Sequence, residues 1–286
     1  GKSLLALNFA IRAARRNIPV LLLDSEMNPR DQRVRLTGMV TNVPFNYIEG
    51  GLWKLNAEKL REIGITEDQT IINILASSRR MVDKELRERI EHLPITYQSI
   101  SGLDLQDVLP LIKRWLLKDV KPNRDIDTPQ CLIIIDYIKL ATLDDLRRGV
   151  AEWQKHGVNV AALHNLIHQY NVPCIAFGQT NNELDDGIRC IAGGKRIAEN
   201  VTSISYLKRK SDADRAIDPN GSHFIKIFNA RYGSGTDELH INFDADLSIG
   251  HFAEIGLSAV PIVATRARFT RQNTNGQDNQ QRTDQS

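Results

Sequence analysis

Two continuous aliphatic runs, Val20-Leu21-Leu22-Leu23-Asp24 and Leu132-Ile133-Ile134-Ile135-Asp136, constrain the fold more than any other feature of the chain. Each has the length of a strand, lacks the alternation of a half-exposed one, and ends in a carboxylate. Such runs read as strands buried on both faces, which requires parallel neighbours and helices above and below. The flanking stretches supply them. LLALNFAIRAARRN, with Leu5, Leu7, Phe9, Ala10, Ala13 and Ala14, suits a buried helix before the first run. SEMNPRDQRVRLTGMV after it reads as a helix opening near Ser25 as N-cap, with Arg30, Arg33 and Arg35 on exposed sides. Residues 53–93 read as peripheral helices, with Glu/Arg pairs at i,i+4 in EKLREI and DKELRERIEHL. ITYQSI reads as a short strand, and SGLDLQDVLPLIKRWLL as a helix starting near Asp107, with Pro110 in its first turn, where a missing N–H costs nothing. VNVAALHNLIHQYN then reads as a helix and VPCIAFGQTN as another buried strand. SISYLK, HFIKIF and ELHINF are three late strand-like runs, the last two joined by the turn ARYGSGT. The expectation is an α/β fold with a mainly parallel sheet flanked by helices and a late β-hairpin.

Composition narrows the setting of that fold. At 41% hydrophobic and 25% charged residues the chain is ordinary for a soluble globular protein, and no apolar run approaches the ~18 residues of a membrane span. No signal peptide is visible. Cys131, Cys174 and Cys190 form no C-x-x-C pair, and the first two sit in apolar runs, so they read as buried reduced thiols of a cytosolic protein. A net charge of +2 gives no global nucleic-acid signature, which leaves any such binding to local basic loops. From Thr265 on the chain is Arg, Gln, Asn, Thr and Asp with almost no apolar side chain, so residues 265–286 are expected to form a disordered polar tail after one domain over 1–264.

Chemistry-bearing residues cluster where that architecture predicts ligands. Gly1-Lys2-Ser3 is the closing triplet of G-x-x-x-x-G-K-[ST], in which backbone N–H groups at a helix N-terminus cradle phosphates, the Lys reaches the β- and γ-phosphates and the hydroxyl joins Mg²⁺. The rest of that loop and its supporting strand are expected upstream, so the chain reads as an N-terminally truncated fragment. Asp136, directly after buried aliphatics at a strand's C-terminal end, reads either as a Mg²⁺-holding acid or as the start of a turn, and the GKS triplet favours the metal. Glu26 follows the other aliphatic strand, so it can orient or deprotonate an attacking water, or serve as a helix N-terminal carboxylate, which its residue type alone favours. Asp24 is a further partner, and the sequence leaves open which of the two stands closer to water. Gln179 ends the strand after VPCIAF, either as a neutral amide for a γ-phosphate or as a surface amide. Arg189, Lys195 and Arg196 surround Gly193 and Gly194, a loop that a nucleic-acid backbone can approach closely, or an ordinary solvated basic loop; Arg147 and Arg148 are weaker candidates. His164 and His168 lie at i,i+4, but with Asn165 between them and no third ligand no zinc is assigned.

In order and approximate spacing, GKS, LLLDSEM, LIIIDYIKL, NVPCIAFGQTN, AGGKRIAENV and NARYGSGT resemble the motifs of the DnaB-type replicative helicase family, over residues 1 to about 253. EGGLWKLNAEKLREI and ISGLDLQDVLPLIKRW resemble intermediate family segments. The resemblance implies a RecA-like doubly wound fold and a ring-shaped homo-oligomer, a hexamer, that hydrolyses ATP with Mg²⁺ and translocates on single-stranded DNA in the cytoplasm of a bacterial or phage-infected cell. Primase and a helicase loader are the further partners it implies, with no membrane. It makes Glu26 the water-positioning carboxylate, Gln179 the sensor, and Arg231 a finger acting on the neighbouring subunit's nucleotide. Where the family has Lys-x-Arg, this chain has Asn229-Ala230-Arg231, so the arginine matches and the lysine does not; Lys226 or Lys208 are candidates to substitute. A recombinase or recombination-mediator ATPase, and a non-hydrolysing ring assembly or loader protein, are the alternatives that share such a sheet.

Overall fold

The computed structural model describes residues 1–122, 130–138, 152–178, 194–230 and 239–259. Helix α1 (Lys2–Ala14) leads into β1 (Val20–Asp24), followed by α2 (Pro29–Thr41), α3 (Phe45–Glu49), α4 (Ala57–Glu62), α5 (Asp68–Val82) and α6 (Lys84–Glu91). Next come β2 (Ile95–Ser99), α7 (Leu105–Trp115), β3 (Leu132–Asp136), α8 (Glu152–Tyr170), β4 (Cys174–Ala176) and α9 (Gly194–Asn200). The chain then forms β5 (Ser203–Arg209), α10 (Asp212–Ile217), β6 (His223–Ala230), β7 (Leu239–Asp246) and β8 (His251–Ala259).

The aliphatic runs are the two central strands of a parallel sheet ordered β2-β1-β3-β4. Because side chains alternate across a strand, each run is split between two cores. Leu21, Leu23, Ile133 and Ile135 pack against Val108, Ile112 and Trp115 of α7 and Leu163 and Tyr170 of α8. Val20, Leu22 and Ile134 pack on the other face against Leu7, Ala10, Ile11 and Ala14 of α1 and Met39 and Val40 of α2. Helices thus cover both faces, the doubly wound arrangement. The insertion between β1 and β2 has its own small core around Leu60, Ile71 and Ile74.

The late strands do more than add a hairpin. β6 and β7 do pair antiparallel, with Ile225 opposite Ile241, but β5 and β8 flank them, giving a separate antiparallel sheet ordered β5-β6-β7-β8. It docks on α1 through Leu5, Phe243 and Phe252. Buried Asn8 on α1 donates to the Gly250 carbonyl at 2.7 Å, and the Arg12 guanidinium donates to the Phe252 carbonyl at 3.1 Å.

Local starts and stops differ from the sequence expectation at three places. Helix α2 is capped by Asn28, whose side chain accepts from the Asp31 N–H at 2.9 Å with Pro29 as first helical residue, whereas Ser25 is buried and belongs to the preceding loop. Helix α7 begins at Leu105, since Asp107 serves as the reciprocal partner of the Asp104 cap, its carboxylate accepting the Asp104 N–H at 3.3 Å; Pro110 therefore lies inside the helix. Strand β4 is the partly exposed edge of the described parallel sheet, because only β3 pairs with it. Cys131 is buried and Cys174 half-buried, both as free thiols, and burial pushes them up to about 11 and about 12. No helix among the described residues is long and apolar enough to cross a membrane.

Candidate active site

Parallel register brings the two terminal carboxylates level. Asp24 pairs with Asp136, and the loops that follow are tied together by the Ser25 N–H donating to the Asp136 carbonyl at 2.8 Å and the Tyr137 N–H donating to Ser25 Oγ at 3.3 Å. The Asp136–Tyr137 peptide bond is cis.

Asp24 and Glu26 take different parts. Asp24 is fully buried; its Oδ1 accepts the N–H groups of Glu26 and Met27 at 2.8 and 2.9 Å, and its Oδ2 accepts the Gln32 side-chain amide. These bonds fold the loop and leave Asp24 no free face, while Glu26 is exposed at its end. The carboxylate available to a water molecule is therefore Glu26.

Asp136 is 3% exposed, and its Oδ1 has no hydrogen-bond partner. Burial pushes its carboxyl up from the ordinary range, opposed by a hydrogen bond from the Ser3 hydroxyl; the charges of Asp24 and Glu26 push the same way as burial, and Lys2 opposes them. An orphaned carboxylate oxygen beside a hydroxyl is a hard-oxygen donor pair, which fits Mg²⁺. Among the described residues no group of three or more His, Cys, Asp or Glu forms a metal cage, so further ligand positions fall to phosphate and water, as Mg²⁺ prefers. Ser3 and Lys2 are in the first turn of α1, which contains no acidic residue to occupy its free N–H groups. The Lys2 ammonium lies over the Tyr137 ring, 5.3 Å from its centroid. Burial pushes the Tyr137 hydroxyl up, and Glu26 adds to this by its charge and by accepting a hydrogen bond.

Lys2, Ser3, Glu26 and Asp136 thus meet at one end of the parallel sheet, with Gly1 capping α1. Gln179, Arg189, Arg231, Arg147, Arg148, Cys190 and the tail 265–286 lie outside the described residues; Lys195 and Arg196 form the start of α9, with their side chains outside the description. Sequence reasoning missed Tyr137 and Gln32. Tyr137 was signalled by its place directly after the strand-ending acid, whereas Gln32 reaches Asp24 only through the helical turn begun at Asn28.

No protein-family model and no curated protein matches the chain. Solved structures do. A helicase ATPase domain superposes with a TM-score of 0.63 at 14% identity, covering 89% of this chain and 81% of that one. A DnaB-like replicative helicase, described with its interactions with primase, superposes with a TM-score of 0.60 at 15% identity, over 88% of this chain and 54% of its own length. The chain has the RecA-like fold of DnaB-type ATPase domains. It spans about half of that replicative helicase. Within the RecA-like fold, β1 and β3 are the strands whose C-terminal ends face the ligand crevice.

Proposed function

We propose that the chain is the motor domain of a replicative DNA helicase, coupling ATP hydrolysis to translocation on single-stranded DNA and duplex unwinding. The observation that carries this reading is the convergence of Lys2, Ser3, Glu26 and Asp136 on one sheet edge, with Asp136 Oδ1 unpartnered. Lys2 and the free amides of α1 bind the phosphates. Ser3 and Asp136 hold Mg²⁺, which when bound neutralises charge on the β- and γ-oxygens. Glu26 orients the attacking water and accepts its proton. Gln179 contacts the γ-phosphate, Arg231 reaches the nucleotide of an adjacent subunit in a ring, a hexamer, and Arg189, Lys195 and Arg196 track DNA phosphates. Primase and a loader protein are the partners proposed for the ring.

Hydrolysis of Mg²⁺-ATP with and without single-stranded DNA, followed by strand displacement on a forked duplex, tests the reading. DNA-stimulated hydrolysis with displacement supports it. Hydrolysis without displacement points to a recombinase-type ATPase, and nucleotide binding without turnover to an assembly or loader protein.

A further inference from the structure

We propose that Tyr137 is a positioning residue of this site, its ring holding the Lys2 ammonium and its hydroxyl the Glu26 carboxylate in the places from which they act. The inference rests on the ATPase reading above. Three backbone bonds fix where the ring stands: Ser25 N–H to the Asp136 carbonyl at 2.8 Å, Tyr137 N–H to Ser25 Oγ at 3.3 Å, and Ile138 N–H to the Phe177 carbonyl at 3.0 Å. Tyr137 is therefore tied to the loop after β1 on one side and to the residue after β4 on the other, while its side chain is only half-buried and faces the site.

Its two neighbours need such a fixed point. A lysine side chain has many rotamers, and ordering it when a phosphate arrives costs conformational entropy. Lys2 has no salt bridge among the described residues, and the ring face 5.3 Å from Nζ is the contact that orders it. A ring quadrupole attracts an ammonium more weakly than a phosphate does, so the lysine is held close without being withheld from a nucleotide. Glu26 is fixed at its backbone by Asp24, which leaves its exposed carboxylate to swing. The Tyr137 hydroxyl donates to that carboxylate. One side chain thus sets both the phosphate-binding cation and the water-handling carboxylate.

The test compares Tyr137→Phe and Tyr137→Leu with the parent in the full chain, by steady-state Mg²⁺-ATP hydrolysis with single-stranded DNA present and a urea melt of each. Tyr137→Phe keeps the ring and loses the hydroxyl, so kcat falls about fivefold while KM stays within about twofold. Tyr137→Leu also frees Lys2, so KM rises about tenfold on top of the fall in kcat. Parent-like kcat and KM in both variants overturn the proposal, and so does an equal loss in both, which would mark a structural role alone. A parent that shows no hydrolysis overturns the ATPase reading itself, and this inference with it.

Discussion

The two sheets of this molecule bury different things. The parallel sheet hides an aliphatic interior and carries its polar groups at one end, where Asp136 is left with an unpartnered oxygen. The antiparallel sheet has a polar knot inside it. Lys210, 4% exposed, donates to Asp218 Oδ2 at 2.8 Å and to the Asn220 carbonyl at 2.6 Å; Asn242 donates to the same Asp218 oxygen at 2.8 Å, and His240 lies 3.3 Å from it. Burial alone would push the Asp218 carboxyl up, but the hydrogen bonds from Lys210, Asn242, Ser258 and the Asn220 amide outweigh it and hold it far below the ordinary range. A satisfied buried charge is consumed by structure, whereas an unsatisfied one at a strand end is available to a ligand. The contrast separates a catalytic sheet from a scaffold sheet.

The largest expected effect would break that division. Arg231 directly follows β6 of the scaffold sheet, and as a finger acting on a neighbouring subunit its replacement by Ala should lower ATP turnover by about 10³-fold or more. Mixing Arg231→Ala subunits with Lys2→Ala subunits, each inactive alone, should return part of the activity, because some interfaces then pair an intact phosphate loop with an intact finger. Turnover of the Arg231→Ala protein at the parent rate would make this an ordinary exposed arginine and leave the antiparallel sheet as scaffold only.

Next in size is the polar knot. Lys210→Met leaves the Asp218 carboxylate buried without its cation, and breaking such a pair costs about 3–5 kcal/mol, read by urea unfolding. The surviving folded protein should hydrolyse ATP near the parent rate. The pH dependence follows from the depressed Asp218 pKa. A carboxylate held low in the folded state contributes stability that is fully present above its unfolded value of about 3.9 and is lost as pH falls toward the folded value. The acid limb of the parent's stability profile should therefore be steeper than that of Lys210→Met, and equal limbs would show that Lys210 does not hold Asp218 low.

The same contrast explains what could be read from the chain alone. Val20–Asp24 and Leu132–Asp136 were legible as buried strands because a parallel strand covered on both faces announces itself by an unbroken aliphatic run. Ser3, Glu26 and Asp136 were legible because the fold places strand ends and a helix N-terminus together. The separate antiparallel sheet was not. β8 reads HFAEIGLSA, with small and polar residues on an edge, and Lys210 meets Asp218 and His240 only after β5, β6 and β7 have paired. The division of labour between Asp24 and Glu26 was equally invisible, since it depends on which carboxylate the loop's own N–H groups turn inward to accept.

That division gives the third prediction, which sharpens the contrast within the catalytic sheet. Glu26→Gln keeps the loop and should leave nucleotide binding intact while slowing hydrolysis by about 10²-fold. Asp24→Ala instead leaves the Glu26 and Met27 N–H groups without their acceptor and should lower stability, at about 1–3 kcal/mol for each group left unpaired. Single-turnover hydrolysis and urea melts of the two variants separate the roles. A Glu26→Gln protein hydrolysing at the parent rate would remove Glu26 from the reaction.

The smallest expected effect concerns the basic residues between the two sheets. Helix α9, Gly194–Asn200, packs against α8 and directly precedes β5, so Lys195 and Arg196 enter the chain where the parallel sheet ends and the antiparallel one begins. Phosphate contacts by two cations release counterions, and on single strands each contact contributes about 0.7 to the slope of log affinity against log salt. Lys195→Ala/Arg196→Ala should therefore make that slope shallower by about 1.4 and weaken binding to unrelated sequences alike. ATP hydrolysis without DNA should stay at the parent rate, since neither residue touches the Lys2–Asp136 site in this reading. Fluorescence anisotropy with labelled single-stranded oligonucleotides at several salt concentrations measures both quantities. Equal weakening with an unchanged slope would mean that the substitutions disturb the junction of the sheets and that the two side chains do not contact phosphate. An unchanged affinity together with an unchanged slope would leave Lys195 and Arg196 as a solvated helix start.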